Sequence, residues 1–186
     1  IDSSSPGLNL IPANTASGDC TTVNNWKCGG GGTYIWDGTG ANGNWSNPAN
    51  WDVGRSPVGD TTAIVTIVSG ASFNPVLETL TTVDDLTIQT GGILTLGSYG
   101  LTVTDQFTVN GTLSWDGDQN LSTIDTLGSA STIEYTDAVG VAIQAWTYGN
   151  LKINRSGATF TLPGNIDVDG DLTLTTGTLD VTASNH

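Results

Sequence analysis

Residues 86–115, LTIQTGGILTLGSYGLTVTDQFTVNGTLSW, are written a second time at residues 151–181, LKINRSGATFTLPGNIDVDGDLTLTTGTLDV. Aligned, Leu86 and Ile88 match Leu151 and Ile153, Leu94 and Leu96 match Phe160 and Leu162, and Leu101 and Val103 match Ile166 and Val168. Phe107 and Val109 then match Leu172 and Leu174, and Leu113 and Trp115 match Leu179 and Val181. The offset stays at 65 or 66 positions, with one residue gained after Ile153, lost after Leu162 and gained again after Leu174. Each copy repeats one unit: apolar, polar, apolar, then a turn of Gly, Asn, Asp or Ser. That alternation puts both apolar side chains of a short strand on one face.

Strands of three to five residues cannot each bury a face alone. They can when the chain coils and every strand stacks on the one a full turn earlier. The expectation is therefore all-β, a β-solenoid of the parallel β-helix kind, with Thr87, Thr95, Thr102, Thr108, Thr112, Thr161 and Thr173 facing outward. An antiparallel sandwich is the competing fold. Its hairpins usually carry tight two-residue turns and strands of unequal length, unlike this uniform recurring unit.

Composition narrows the function. The chain has 186 residues, 25 of them Gly, with 12% charged residues and a formal net charge of −14. Only Lys27, Arg55, Lys152 and Arg155 are basic, which disfavours nucleic acid and anionic membrane surfaces as partners. No apolar run approaches the ~18 residues of a membrane span. The chain begins IDSSSPG and contains no Met, from which a removed secretory leader is expected. Cys20 and Cys28 are the two cysteines and His186 the one histidine, too few ligands for structural zinc. A Cys20–Cys28 disulfide is expected instead, worth about 2–3 kcal/mol, and it places the chain in an oxidising, extracellular setting; two free thiols are the alternative.

In chain order the reading is an N-terminal arm and disulfide loop (1–32), a Trp-rich cap (33–60) and a β-helix (61–186). Leu8, Leu10 and Ile11 stand alone in a Ser-, Asn- and Pro-rich stretch. They read either as part of a linker or as an arm that adds a strand to a neighbouring subunit. Trp36, Trp45 and Trp51 fall within sixteen residues. They read as a cover for the first apolar rung or, exposed, as a carbohydrate-binding platform for surface glycans, with Asp37 and Asp52 taking hydroxyls.

The stretch WDGTGANGNWSNPANWD, followed by AIVTIVSG and the 86–115 unit, resembles the β-helical repeat regions of large secreted bacterial surface proteins of the adhesin-like and autotransporter-associated kinds. STIEYTDAVGVAIQAWTYGNLKINRSG resembles their repeat, through Tyr135, Gln144, Tyr148, Asn150 and Leu151. The resemblance covers roughly residues 33 to 186. It implies a structural or adhesive role at the cell surface and supplies no catalytic residues. Members of that family continue through further coils, whereas this sequence stops at TASNH. Either a longer protein is cut there or another molecule finishes the last coil; the second alternative leads to the expectation of an open last rung and a self-partner, a homopolymer joined head to tail.

Enzymatic chemistry is not expected. Uronate lyases need Lys or Arg beside a base, and the four cations are scattered. The carboxylate groups a hydrolase would need, Asp84 with Asp85, Asp116 with Asp118 and Asp167 with Asp169 and Asp171, lie at turns or on opposite faces. No cofactor is expected beyond calcium, for which Asp167, Asp169 and Asp171 around Gly170 are the candidate ligands. Solvated turn acids are the plainer reading of the same residues. Asn-x-Ser/Thr sequons stand at Asn44, Asn110, Asn120 and Asn154.

Overall fold

The computed structural model describes residues 32–182. Leu8, Leu10, Ile11, Cys20 and Cys28, and with them the expected arm and disulfide, lie outside the described residues. The fold is a β-solenoid of about six turns. One sheet stacks β1 (Thr33–Trp36), β2 (Ile64–Ile67), β4 (Asp85–Ile88), β7 (Phe107–Val109) and β9 (Thr126–Leu127) in that order. A second stacks β5 (Ile93–Thr95), β8 (Thr112–Trp115), β10 (Thr132–Tyr135), β12 (Asn150–Thr161) and β14 (Leu172–Asp180). Two shorter ladders join β3 (Thr81–Val83) to β6 (Leu101–Val103), and β11 (Thr147–Tyr148) to β13 (Asp167–Val168).

All pairings between these strands are parallel, which excludes the sandwich of hairpins. The register gives the coil length directly. Leu86 lies over Phe107, Thr112 over Thr132 and Thr132 over Asn150, so a coil takes 18 to 21 residues. The first coil is longer, since Thr33 lies over Ile64, and its extra residues hold the Trp cluster. The ladder thus begins inside the segment expected to be a cap.

Inward positions form columns. Tyr34, Val65, Leu86 and Phe107 make one, and Trp36, Ile67, Ile88 and Val109 the next. Leu94, Leu113, Ile133 and Leu151 make a third, and all twelve residues are at most 1% exposed. Outward, Thr66, Thr87 and Thr108 stand over one another, where β-branched side chains suit the pleat.

The internal repeat holds as a stacking pattern, but not as three whole coils. Leu86 stacks on Phe107 and Leu151 on Leu172 at the same spacing; Leu94 stacks on Leu113 and Phe160 on Leu179 at another shared spacing. Yet Leu86 sits in the first sheet and its matched Leu151 in the second. Every face asks for the same apolar-polar-apolar unit, so the alignment slides from one face to another. The last coils also lose a corner. β12 runs twelve residues without a break, with register shifts after Ile153 and Asn154, and β14 follows it for nine.

Candidate functional sites at the two ends of the coil

The N-terminal end is closed by a returning segment. Asn47 accepts from Ala49 N and starts a single 3-10 turn, Pro48–Asn50, after which the chain runs antiparallel along the free edge of β1. Asn50 O accepts from Asp37 N at 3.0 Å, Asp52 N donates to Ile35 O at 3.0 Å, and Asp52 Oδ1 accepts from Ile35 N at 2.8 Å. Asn50 itself is fully buried and satisfied. Its Nδ2 donates to Asn42 O and Asn44 O, and its Oδ1 accepts from Gly40 N.

Trp51 is the lid. Its ring meets Tyr34, Trp36 and Trp45 edge-on at 6.0, 5.0 and 4.8 Å, and its Nε1 donates to Trp45 O at 2.9 Å. Trp36 Nε1 donates to Phe73 O at 2.7 Å. The Arg55 guanidinium lies 5.1 Å over the Tyr34 ring, and the Tyr34 hydroxyl donates to Asp60 Oδ2 at 2.8 Å. Burial, and then Asp60, push the Tyr34 hydroxyl up; burial would also raise Asp60, but bonds from Thr62 and Tyr34 outweigh it and hold that carboxyl low.

The platform reading of Trp36, Trp45 and Trp51 is corrected by this geometry. The three residues are 0, 1 and 2% exposed, so none offers a ring face to a sugar. Asp37 and Asp52 are likewise engaged, Asp37 Oδ1 accepting from Thr39 N and Oγ1. Tertiary burial decides between two uses of Trp that the sequence pattern alone leaves open.

A second aromatic cluster lies in the middle coils. Trp115 stacks on Trp146 at 5.8 Å and packs against Tyr135, which meets Phe160 edge-on. The Tyr135 and Tyr148 hydroxyls are 3.1 Å apart; Gln144 N donates to the first, and the second donates to Gln144 O at 2.6 Å. Burial raises both phenols, so both stay neutral and paired. The pattern Tyr135, Gln144, Tyr148 was visible in the sequence, whereas nothing there singled out Trp146.

The candidate acids are spread over several turns of the coil. Asp167, Asp169 and Asp171 are exposed, and among the described residues no group of three His, Cys, Asp or Glu is arranged to hold a metal ion. Asp84 accepts from Thr104 Oγ1, Asp85 from Gln106 N and Asp116 from Thr136 Oγ1, each bond joining one coil to the next. A shallow hollow lined by Val58, Thr61, Leu80 and Thr82 contains no titratable side chain. Among the described residues no helix is long and apolar enough to cross a membrane.

Among the described residues nothing covers the other end. Leu172 and Leu174 are each 52% exposed, although the residues beneath them, Leu151 and Ile153, are fully buried. β14 is the last strand of its sheet and pairs on one side only among the described residues. The described residues thus form a β-solenoid with one end covered by Trp51 and its neighbours and the other uncovered among them. No protein-family model, curated protein or solved structure matches it.

Proposed function

We propose that the chain is a non-enzymatic extracellular structural protein, a subunit of a cell-surface fibre or adhesin stalk that assembles head to tail. The observation that carries this reading is the step in burial from 0% at Leu151 and Ile153 to 52% at Leu172 and Leu174. Bare apolar residues on a strand with an unpaired edge are a template for another chain. Since the opposite end of the coil is built differently, the contact is heterologous and does not close on itself, and repetition yields a filament. The carboxylates of Asp84, Asp85 and Asp116 serve as ties between coils, a structural use that supports the reading. The reading requires no cofactor.

Electron microscopy and sedimentation of the purified chain over a range of concentrations test it. Filaments that grow with concentration are expected; a sharp monomer mass at high concentration with no filaments would oppose the reading.

A further inference from the structure

Inward residues of the coil hand their N–H groups to the next coil along. Leu86 donates to Gln106 O, Leu96 to Ser114 O, Leu101 to Asn120 O and Leu151 to Asp171 O, each at 2.9 Å. Leu172 and Leu174 hold the same inward, forward-aiming positions in β14, and no coil lies beyond them among the described residues. The strand LTLTTGTLD also lacks the usual guards of an edge, for it has neither Lys nor Pro.

The closed end cannot supply the missing layer. Its β1 edge is already paired with residues 50–52, and Tyr34 and Trp36 are covered by Trp51. A second copy therefore has no bare rung at that end to lay on Leu172 and Leu174. The site takes a pair of apolar residues two apart, as Leu94 and Leu96, Ile133 and Tyr135, or Leu151 and Ile153 provide in earlier coils. Outside the described residues the sequence holds a single aliphatic pair at that spacing, Leu8 and Leu10. Pro6 and Pro12 bracket it in the sequence, which leaves five residues between them, close to the three- and four-residue length of most rungs.

We infer that segment Leu8–Ile11 of a second copy adds to β14 as the next parallel strand, with Leu8 over Leu172 and Leu10 over Leu174. This rests on the head-to-tail reading and names its contact. Asn9 then faces outward above Thr173, as polar residues do on the preceding rungs. A return to the chain's own β14 would draw the intervening residues along a flank about 29 Å tall, six coils at ~4.8 Å each, whereas an end-on neighbour meets the arm directly.

The test uses the full chain and its Leu8→Asp/Leu10→Asp double variant, with near-UV circular dichroism to verify that the coil is intact. Filaments are counted by electron microscopy, and amide exchange is read across β14. The wild type is expected to form filaments in which Leu172 and Leu174 exchange about 100-fold more slowly than in the variant, which stays monomeric with its other rungs unchanged. A synthetic peptide of residues 4–14 in excess is expected to stop filament growth and to protect β14 of the variant. Filaments of undiminished number from the variant would overturn the arm and leave assembly standing. Protection of β14 in a wild-type monomer would show closure by the chain's own arm and overturn exchange between copies. No filaments together with fast exchange at β14, or a peptide without effect, would overturn the contact as well.

Discussion

Replacing Trp51 with Ala removes the ring that three others meet. The substitution deletes a side chain that is 2% exposed, its edge contacts with Tyr34, Trp36 and Trp45, and the bond from Nε1 to Trp45 O. Truncating a buried aromatic to Ala costs about 3–5 kcal/mol, against a total stability of about 5–15 kcal/mol for a domain. At a urea slope of ~2 kcal/mol per molar, the midpoint should fall by about 2 M. In a solenoid each coil touches only its neighbours, so the damage should stay local. Amides of β1 and β2 should lose protection while those of β8, β10 and β12 keep theirs. Trp51→Phe retains an aromatic edge and should cost roughly 1–2 kcal/mol. Urea titration followed by far-UV circular dichroism, with amide exchange read strand by strand, gives both numbers. A midpoint lowered by less than about 0.5 M in Trp51→Ala, or protection lost evenly along the coil, would refute the lid.

Gly140 has φ +89°, and a Cβ there would collide with the backbone oxygen of Thr159, so Gly140→Ala should cost at least about 3 kcal/mol by thermal melting. Gly157, with φ +81° and open space around it, should lose only about 1 kcal/mol on the same change. Burial, followed by the neighbouring Tyr135, raises the Tyr148 hydroxyl, and burial raises Tyr135. The folded coil thus holds these protons more tightly than the unfolded chain. Their contribution is complete below about pH 10 and is lost as pH rises above it, so melting temperatures should fall steeply on the alkaline side and less so in Tyr148→Phe. Burial would raise the Glu134 carboxyl, but bonds from Asn154 Nδ2 and Lys152 Nζ, at 2.8 and 2.9 Å, outweigh it and hold that carboxyl low. This contribution is present above about pH 4.3 and fades as the group protonates below that; Glu134→Gln should cost roughly 0.5–1 kcal/mol at neutral pH and flatten the acid limb of a melting curve.

The coil was legible because its unit is local. Leu-Thr-Ile at 86–88 or Phe-Thr-Val at 107–109 puts two apolar residues inward and one Thr outward whatever coil it belongs to. The stacking partner was less legible for the same reason. Leu86 and Leu151 carry the same pattern on different faces, and pattern alone does not say which corner intervenes. The fate of Trp36, Trp45 and Trp51 hinged on the return of residues 50–52 along β1, a tertiary event held by backbone bonds and the buried Asn50 amide, with no signature beyond Asn-Pro. Asp167, Asp169 and Asp171 alternate as ligands would, but Asp167 and Val168 are held in β13, and all three acids remain in solvent. The exposed rung at β14 rests on burial, a quantity no alternation pattern contains.

The parallel coil is tested most directly by distances down one outward column. Ile35, Thr66, Thr87, Thr108 and Thr126 succeed one another in register. Spin labels at Ile35→Cys paired in turn with Thr87→Cys, Thr108→Cys and Thr126→Cys, with Cys20 and Cys28 changed to Ser, report that column by pulsed electron resonance. The coil requires separations that lengthen by ~4.8 Å at each step, reaching about 19 Å between positions 35 and 126. Distances that fail to rise evenly, or that alternate between near and far as hairpins would give, would contradict it.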